Sequence, residues 1–149
     1  MDYIKLRGIP TDHAQSAYDA GFYIEAIQVL HGAIESKLQE LIMVSSPRGR
    51  NEGLSGIWDE SGELSLSILT RVLKIQGVVT DAEASELQRF NSMRNKIVHD
   101  LFDDPYDGEP KRVLKSEFDA VFKLGMGLDV RLSNRFHEIE FGADRADPK

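Results

Sequence analysis

Apolar residues recur every three or four positions along most of this chain, the periodicity of helices with one buried face. The strongest run covers 22–44. There Ile24, Ile27, Leu30, Ile34, Leu38, Leu41 and Ile42 form one stripe, and Ala26, Val29 and Ala33 add a second, small-residue side. A helix apolar on two sides predicts a central position against more than one neighbour. Before it, Thr11 reads as an N-cap, with Asp12 near the positive end of the helix dipole, for a short helix over 12–20 that Gly21 breaks. After it come Ser45-Ser46-Pro47 and a locally basic, breaker-rich loop containing Arg48 and Arg50. Residues 54–58 read as a short turn, with Trp58 as a packing anchor.

Ser61 with Leu64 and Leu66 opens a further helix through about 76, carrying Ile68, Leu69, Val72, Leu73 and Ile75 and closed by Gly77. Thr80 and Glu83 form a capping-box pattern, which predicts a helix over 81–101. The segment from Asp103 to Pro110 is a loop. Ser116-Glu117-Phe118-Asp119 opens the last helix, whose apolar face is Phe118, Val121, Phe122, Leu124, Leu128 and Leu132. Gly125 and Gly127 weaken its middle and permit a close helix approach. No alternating pattern, repeat or heptad array competes. The expectation is an all-α bundle of about four long helices and one short one. It forms a single domain over 1–149, with its core over about 12–136; 1–10 is a lead-in and 142–149 a peripheral tail.

Composition narrows the function classes. Hydrophobic residues are 41% and charged residues 29%, as in a globular domain rather than a disordered or membrane-embedded chain. No apolar run reaches the roughly 18 residues of a membrane span, and the first residues lack a signal peptide's pattern, so a cytoplasmic location is expected. Cys is absent, which removes disulfides, thiolate zinc sites and Cys nucleophiles. With 18 Lys and Arg against 25 Asp and Glu, the net charge is −7. Such a chain is a poor non-specific nucleic-acid binder, although a local basic cleft remains open to it.

The segment with chemistry in it is Asn91-Ser92-Met93-Arg94-Asn95-Lys96-Ile97-Val98-His99-Asp100. On a helix, Leu87, Phe90, Ile97, Val98 and Leu101 fall within roughly 60° of the direction of Arg94. That puts an arginine within the apolar stripe, where its charge needs a partner. Glu35, Asp100 and Asp103 are carboxylate candidates for that role. Beside the stripe runs a line of short polar residues, Gln88, Asn91, Ser92, Asn95 and His99. A face with no long charged side chains suits a surface covered by a partner subunit or a ligand. His99 lies in the last turn, where unpaired carbonyls favour a cationic side chain. Arg94 and His99 are about 140° apart around the helix and about 7.5 Å apart along it. One helix therefore does not pinch a small substrate between them, whereas two copies about a two-fold axis could.

Arg94-Asn95-Lys96-Ile97-Val98-His99 resembles the motif of the HEPN superfamily, an arginine followed four to six residues later by a histidine, with a polar residue after the arginine. The long early helix, with Ala-Gly-Phe-Tyr-Ile-Glu-Ala and then Ala-Ile-Glu-x-x-Leu, is similar as well, so the likeness covers roughly residues 12–132. The resemblance implies a helical bundle that dimerises through the motif helices, and a metal-independent endoribonuclease of toxin–antitoxin or phage-defence type. It implies that Arg94 holds the scissile phosphate, that His99 transfers protons as the 2′-OH attacks, and that Asn95 orients the histidine or the phosphate. These roles suit a guanidinium and an imidazole. No cofactor or metal is implied; the implied partners are a second copy, RNA, and an antitoxin or regulatory protein. Leu101 stands where members paired with a nucleotidyltransferase antitoxin often carry a tyrosine, so tyrosine modification is not expected. The run 64–99 also resembles the mannitol-operon repressor family, which implies a non-catalytic regulatory or interaction module.

Plainer alternatives stand beside these. Arg94 could pair with a carboxylate while His99 caps a helix end, and the same cleft could hold a nucleotide. His31 with Glu35 reads as a core histidine bonded to a neighbour, or as a metal or acid–base pair. His13 and His137 read as surface residues. The Arg48/Arg50 loop and the cluster Lys111, Arg112 and Lys115 read as solvated, and Tyr106 could reach the cleft from its loop.

Overall fold

The structure, a computed structural model, describes residues 3–4, 8–46, 61–102 and 112–142. Among them the regular elements are five helices and no strand: α1 (Pro10–Asp19), α2 (Tyr23–Ser45), α3 (Leu66–Ile75), α4 (Asp81–Phe102) and α5 (Lys115–Phe141). The Arg48/Arg50 loop, Trp58, Asp103, Tyr106 and Lys111 lie outside the described residues. No helix among the described residues is long and apolar enough to cross a membrane.

The central helix is α2, which packs against each of the other four. Ala26, Ile27, Leu30, Ile34, Leu38 and Leu41 are fully buried. Each buried Leu or Ile side chain contributes about 1.5–3 kcal/mol relative to exposure, so this stripe is the main apolar driving force of the bundle. Partners for it come from Leu66, Leu69 and Leu73 of α3, Leu87, Phe90 and Ile97 of α4, and Val121, Leu128 and Leu132 of α5.

Helix ends follow local chemistry, with two departures from expectation. At α1, Pro10 occupies the first turn and Ile9 is the N-cap, with no side-chain cap. Thr11 is thus inside the helix, because proline's fixed φ suits the first helical position and has no N–H to satisfy. At α3 the first helical residue is Leu66, later than the expected Ser61 opening, and Ser65 makes no side-chain cap. Glu35 supplies it instead: its Oε1 accepts the Leu66 N–H at 3.0 Å from α2. The expected capping box at α4 is present. Thr80 Oγ1 accepts the Glu83 N–H at 3.1 Å, and Glu83 Oε2 accepts the Thr80 N–H at 2.8 Å. Gly77, with φ of 71°, closes α3 in a left-handed turn in which the Val78 N–H reaches Leu73 O at 2.9 Å.

Side chains also clamp α4 in place. At its start, Arg135 of α5 donates to Val78 O at 2.8 Å and to Glu83 Oε1 at 2.9 Å. Near its end, Lys96 donates to Asp100 at 2.8 Å and to Glu117 of α5 at 2.9 Å. Between these clamps, α2, α4 and α5 converge on Gly125. A methyl group there would sit 2.6 Å from Leu30 Cδ2 and 2.6 Å from Phe90 Cε2, both on fully buried side chains.

Two glycine substitutions separate packing from helix propensity. Gly125→Ala should lower stability by about 1–3 kcal/mol through overpacking, even after the gain in propensity. Gly127→Ala, whose added methyl meets nothing within 4 Å, should be neutral or stabilise by up to about 1 kcal/mol. Thermal melts of the two variants against the parent chain decide this, and equal melting points would show that Gly125 does not set the helix approach.

Candidate functional site

Buried Leu87, Phe90 and Ile97 fix the rotation of α4 about its axis. That rotation turns Asn91, Arg94 and Asn95 toward the seam with α2, all three half-buried. The facing residues on α2 are Gln28, His31 and Glu35. They sit at positions i, i+3 and i+7, along one flank of the apolar stripe.

Three hydrogen bonds hold Arg94. Nη1 donates to Asn95 Oδ1 at 2.9 Å, Nε donates to Gln28 Oε1 at 3.1 Å, and Nη2 donates to the same Gln28 oxygen. No carboxylate pairs with it among the described residues. Of the acidic candidates, Glu35 is committed to the Leu66 N–H and to His31, and Asp100 to Lys96. The arginine is therefore oriented by neutral amide oxygens, and no described carboxylate compensates its positive charge. It lies at the edge of the apolar stripe rather than within the core, and that is what lets amides suffice.

His31 stands next in the same seam. Its Nε2 is 3.2 Å from Asn91 Oδ1, its Nδ1 is 3.7 Å from Glu35 Oε2, and its ring stacks on Phe90 with centroids 6.1 Å apart. The side chain is only 14% exposed. Burial pushes its pKa below the ordinary 6.5; the Asn91 hydrogen bond and the Glu35 charge oppose this, and the charge of Arg94 adds to it. Of the two readings left open for His31 and Glu35, the hydrogen-bonded histidine describes what is seen. No group of three or more His, Asp or Glu side chains placed to hold a metal occurs among the described residues.

The motif residues divide. Arg94 and Asn95 are joined directly, whereas His99 is exposed and makes no hydrogen bond or ion pair among the described residues. Asn95 thus orients the arginine within one chain, not the histidine. Three of the five residues in the polar line read as suited to a partner or ligand are engaged inside the chain. Gln88 donates to Ser67 O at 3.2 Å, Asn91 meets His31 and Asn95 meets Arg94; Ser92 and His99 remain exposed. Gln28 was not among the expected site residues. The signal for it is the polar series 28, 31 and 35, which follows the helical repeat beside the apolar stripe of α2.

On another side of α4, a groove of about 390 Å³ against α5 is lined by Arg89, Met93, Lys123, Leu124 and Arg131, among others. Arg131 pairs with Glu86, whereas Arg89 and Lys123 have no ion pair among the described residues. Basic side chains thus gather at this groove although the net charge of the chain is −7.

The half-buried histidine gives a stability prediction with a definite sign. In the unfolded chain His31 takes up a proton near pH 6.5, while in the fold it stays neutral to lower pH. The unfolded state therefore binds more protons between those two values, and stability falls as pH falls through that window. Denaturant unfolding of the parent and of His31→Gln should show a steeper loss from pH 7 to pH 5 for the parent. Parallel profiles would mean that His31 titrates alike in both states.

Set against known proteins, the chain matches no protein-family model, no curated protein and no solved structure.

Proposed function

We propose that this chain is a HEPN-like, metal-independent endoribonuclease of toxin–antitoxin or phage-defence type, acting as a homodimer in the cytoplasm. Arg94, Asn95 and His99 of two copies would form one composite site. The observation that carries the reading is Arg94, half-buried, held by the amides of Gln28 and Asn95, with no carboxylate partner among the described residues. A preorganised guanidinium with charge to spare suits a phosphate and the charge that grows on it during transfer.

The chemistry follows from the side chains. The RNA 2′-OH attacks the adjacent phosphorus, the bond from phosphorus to the 5′ oxygen breaks, and a 2′,3′-cyclic phosphate and a 5′-hydroxyl result. An imidazole takes the 2′ proton or gives one to the leaving oxygen, which is the role for His99. Arg94 stabilises the phosphorane-like charge, and Asn95 keeps Arg94 aimed. Within one chain the His99 side chain makes no hydrogen bond to Arg94 or Asn95, and its exposure leaves it accessible to a second copy. Arg89 and Lys123, which have no ion pair among the described residues, would add attraction for the RNA backbone.

The second reading is a non-catalytic HEPN-like or mannitol-repressor-like interaction module. In its favour, Gln88, Asn91 and Asn95 are occupied within the chain, as they would be in a purely structural seam.

RNA incubated with the purified chain in chelator separates the two. Cleavage should leave 2′,3′-cyclic phosphate ends. Arg94→Ala and His99→Ala should each reduce it by about 10²-fold or more while the dimer and fold persist. Equal cleavage by the parent and both variants would assign the activity elsewhere. A chain that is strictly monomeric at micromolar concentration would rule out the composite site.

A further inference from the structure

We propose that Gln28 is the positioning residue of the Arg94 site, and that its neutrality keeps the guanidinium's charge available for a phosphate group. This inference rests on the reading of Arg94 as a phosphate-holding residue and adds a residue from a second helix to it.

Gln28 lies on α2, 66 residues from Arg94 in sequence, and its Oε1 accepts from both Nε and Nη2. Those two nitrogens form one edge of the guanidinium, so a single oxygen fixes the plane and direction of the fork. Asn95 takes one donor on Nη1. Arginine has five N–H donors, and these three bonds leave two of them for a ligand. Gln28 is carried by the most deeply packed helix of the bundle, between buried Ile27 and Leu30, so its backbone is held by the core and not by a loop.

The choice of residue type carries the functional content. The chain has 25 acidic residues against 18 basic ones, yet the residue facing this arginine is an amide. A glutamate of the same length would accept the same two N–H groups, and as an ion pair would hold Arg94 more tightly. It would also cancel the charge. For a purely structural clamp, Glu would serve at least as well as Gln; for an anion site it would be harmful. The nearby carboxylate, Glu35, is kept off Arg94 by its bond to the Leu66 N–H and its contact with His31. Gln28 itself is exposed, so replacing it opens no cavity in the core.

The test uses Gln28→Glu and Gln28→Met in the full chain, with three readouts: RNA cleavage in chelator, the NMR shift of the Arg94 Nε–H on titration with inorganic phosphate, and the melting temperature. Gln28→Glu should lower kcat/KM roughly tenfold or more and weaken the phosphate response to match, with an equal or higher melting temperature. Gln28→Met, neutral but without an acceptor, should lower kcat with little change in KM, because the charge remains but its aim is lost. Wild-type cleavage and phosphate response in Gln28→Glu would overturn the proposal and reduce Gln28 to a clamp. Should the parent chain fail to cleave RNA while phosphate still shifts Arg94 and Gln28→Glu abolishes that shift, the ribonuclease reading falls and the role of Gln28 stands. No phosphate response at Arg94 in the parent would overturn the role of Gln28, whatever the cleavage result.

Discussion

The close approach of three helices at Gly125 is the constraint on which the rest of the bundle depends. Leu30 of α2 and Phe90 of α4 both fill the space where a side chain on α5 would otherwise stand. Because Phe90 is fixed there, α4 cannot rotate without pushing a buried ring into backbone, and interiors packed this tightly tolerate little such movement. Arg94 sits one turn further along the same helix. Its place in the seam with α2 is thus a consequence of how Phe90 packs, and the clamps at Arg135 and Lys96 keep the helix from sliding.

The seam itself is a chain of neutral and partly buried polar groups. Gln28 and Asn95 serve Arg94, Asn91 serves His31, and Glu35 serves the first N–H of α3. Of the carboxylate candidates among the described residues, Glu35 bonds the Leu66 N–H and meets His31, and Asp100 pairs with Lys96. Two cations would share this small region if His31 were protonated, and the charge of Arg94 is among the causes that keep the histidine neutral. A positive charge with no carboxylate partner among the described residues, on an acidic molecule, is the property that makes the seam a candidate for phosphate.

Much of the fold was legible because its causes are local. The apolar repeat of α2 named its buried residues, and Thr80 with Glu83 marked the start of α4 through bonds that span only three positions. Where the deciding group was distant, local reading failed. The opening of α3 was placed at Ser61, since nothing near Leu66 reveals that Glu35, 31 residues away, satisfies its N–H. Arg94 was expected within the apolar stripe and in need of a charge partner, with Glu35, Asp100 and Asp103 as candidates, because unrolling a helix gives an angle but no depth; it is half-buried and held by amides.

What the sequence determined by itself is therefore the helical class, the central helix, the helix carrying Arg94, Asn95 and His99, and the angular separation by which Arg94 and His99 do not pinch one small substrate within one helix. These follow from periodicity, capping and the fixed rise and turn of an α-helix. Only the tertiary structure decided which residues Arg94 meets, that half-buried His31 meets Asn91, and that His99 is exposed with no side-chain hydrogen bond among the described residues. Those facts depend on the register between α2 and α4, which is set by side-chain packing around Gly125, and no pattern within either helix encodes that register alone.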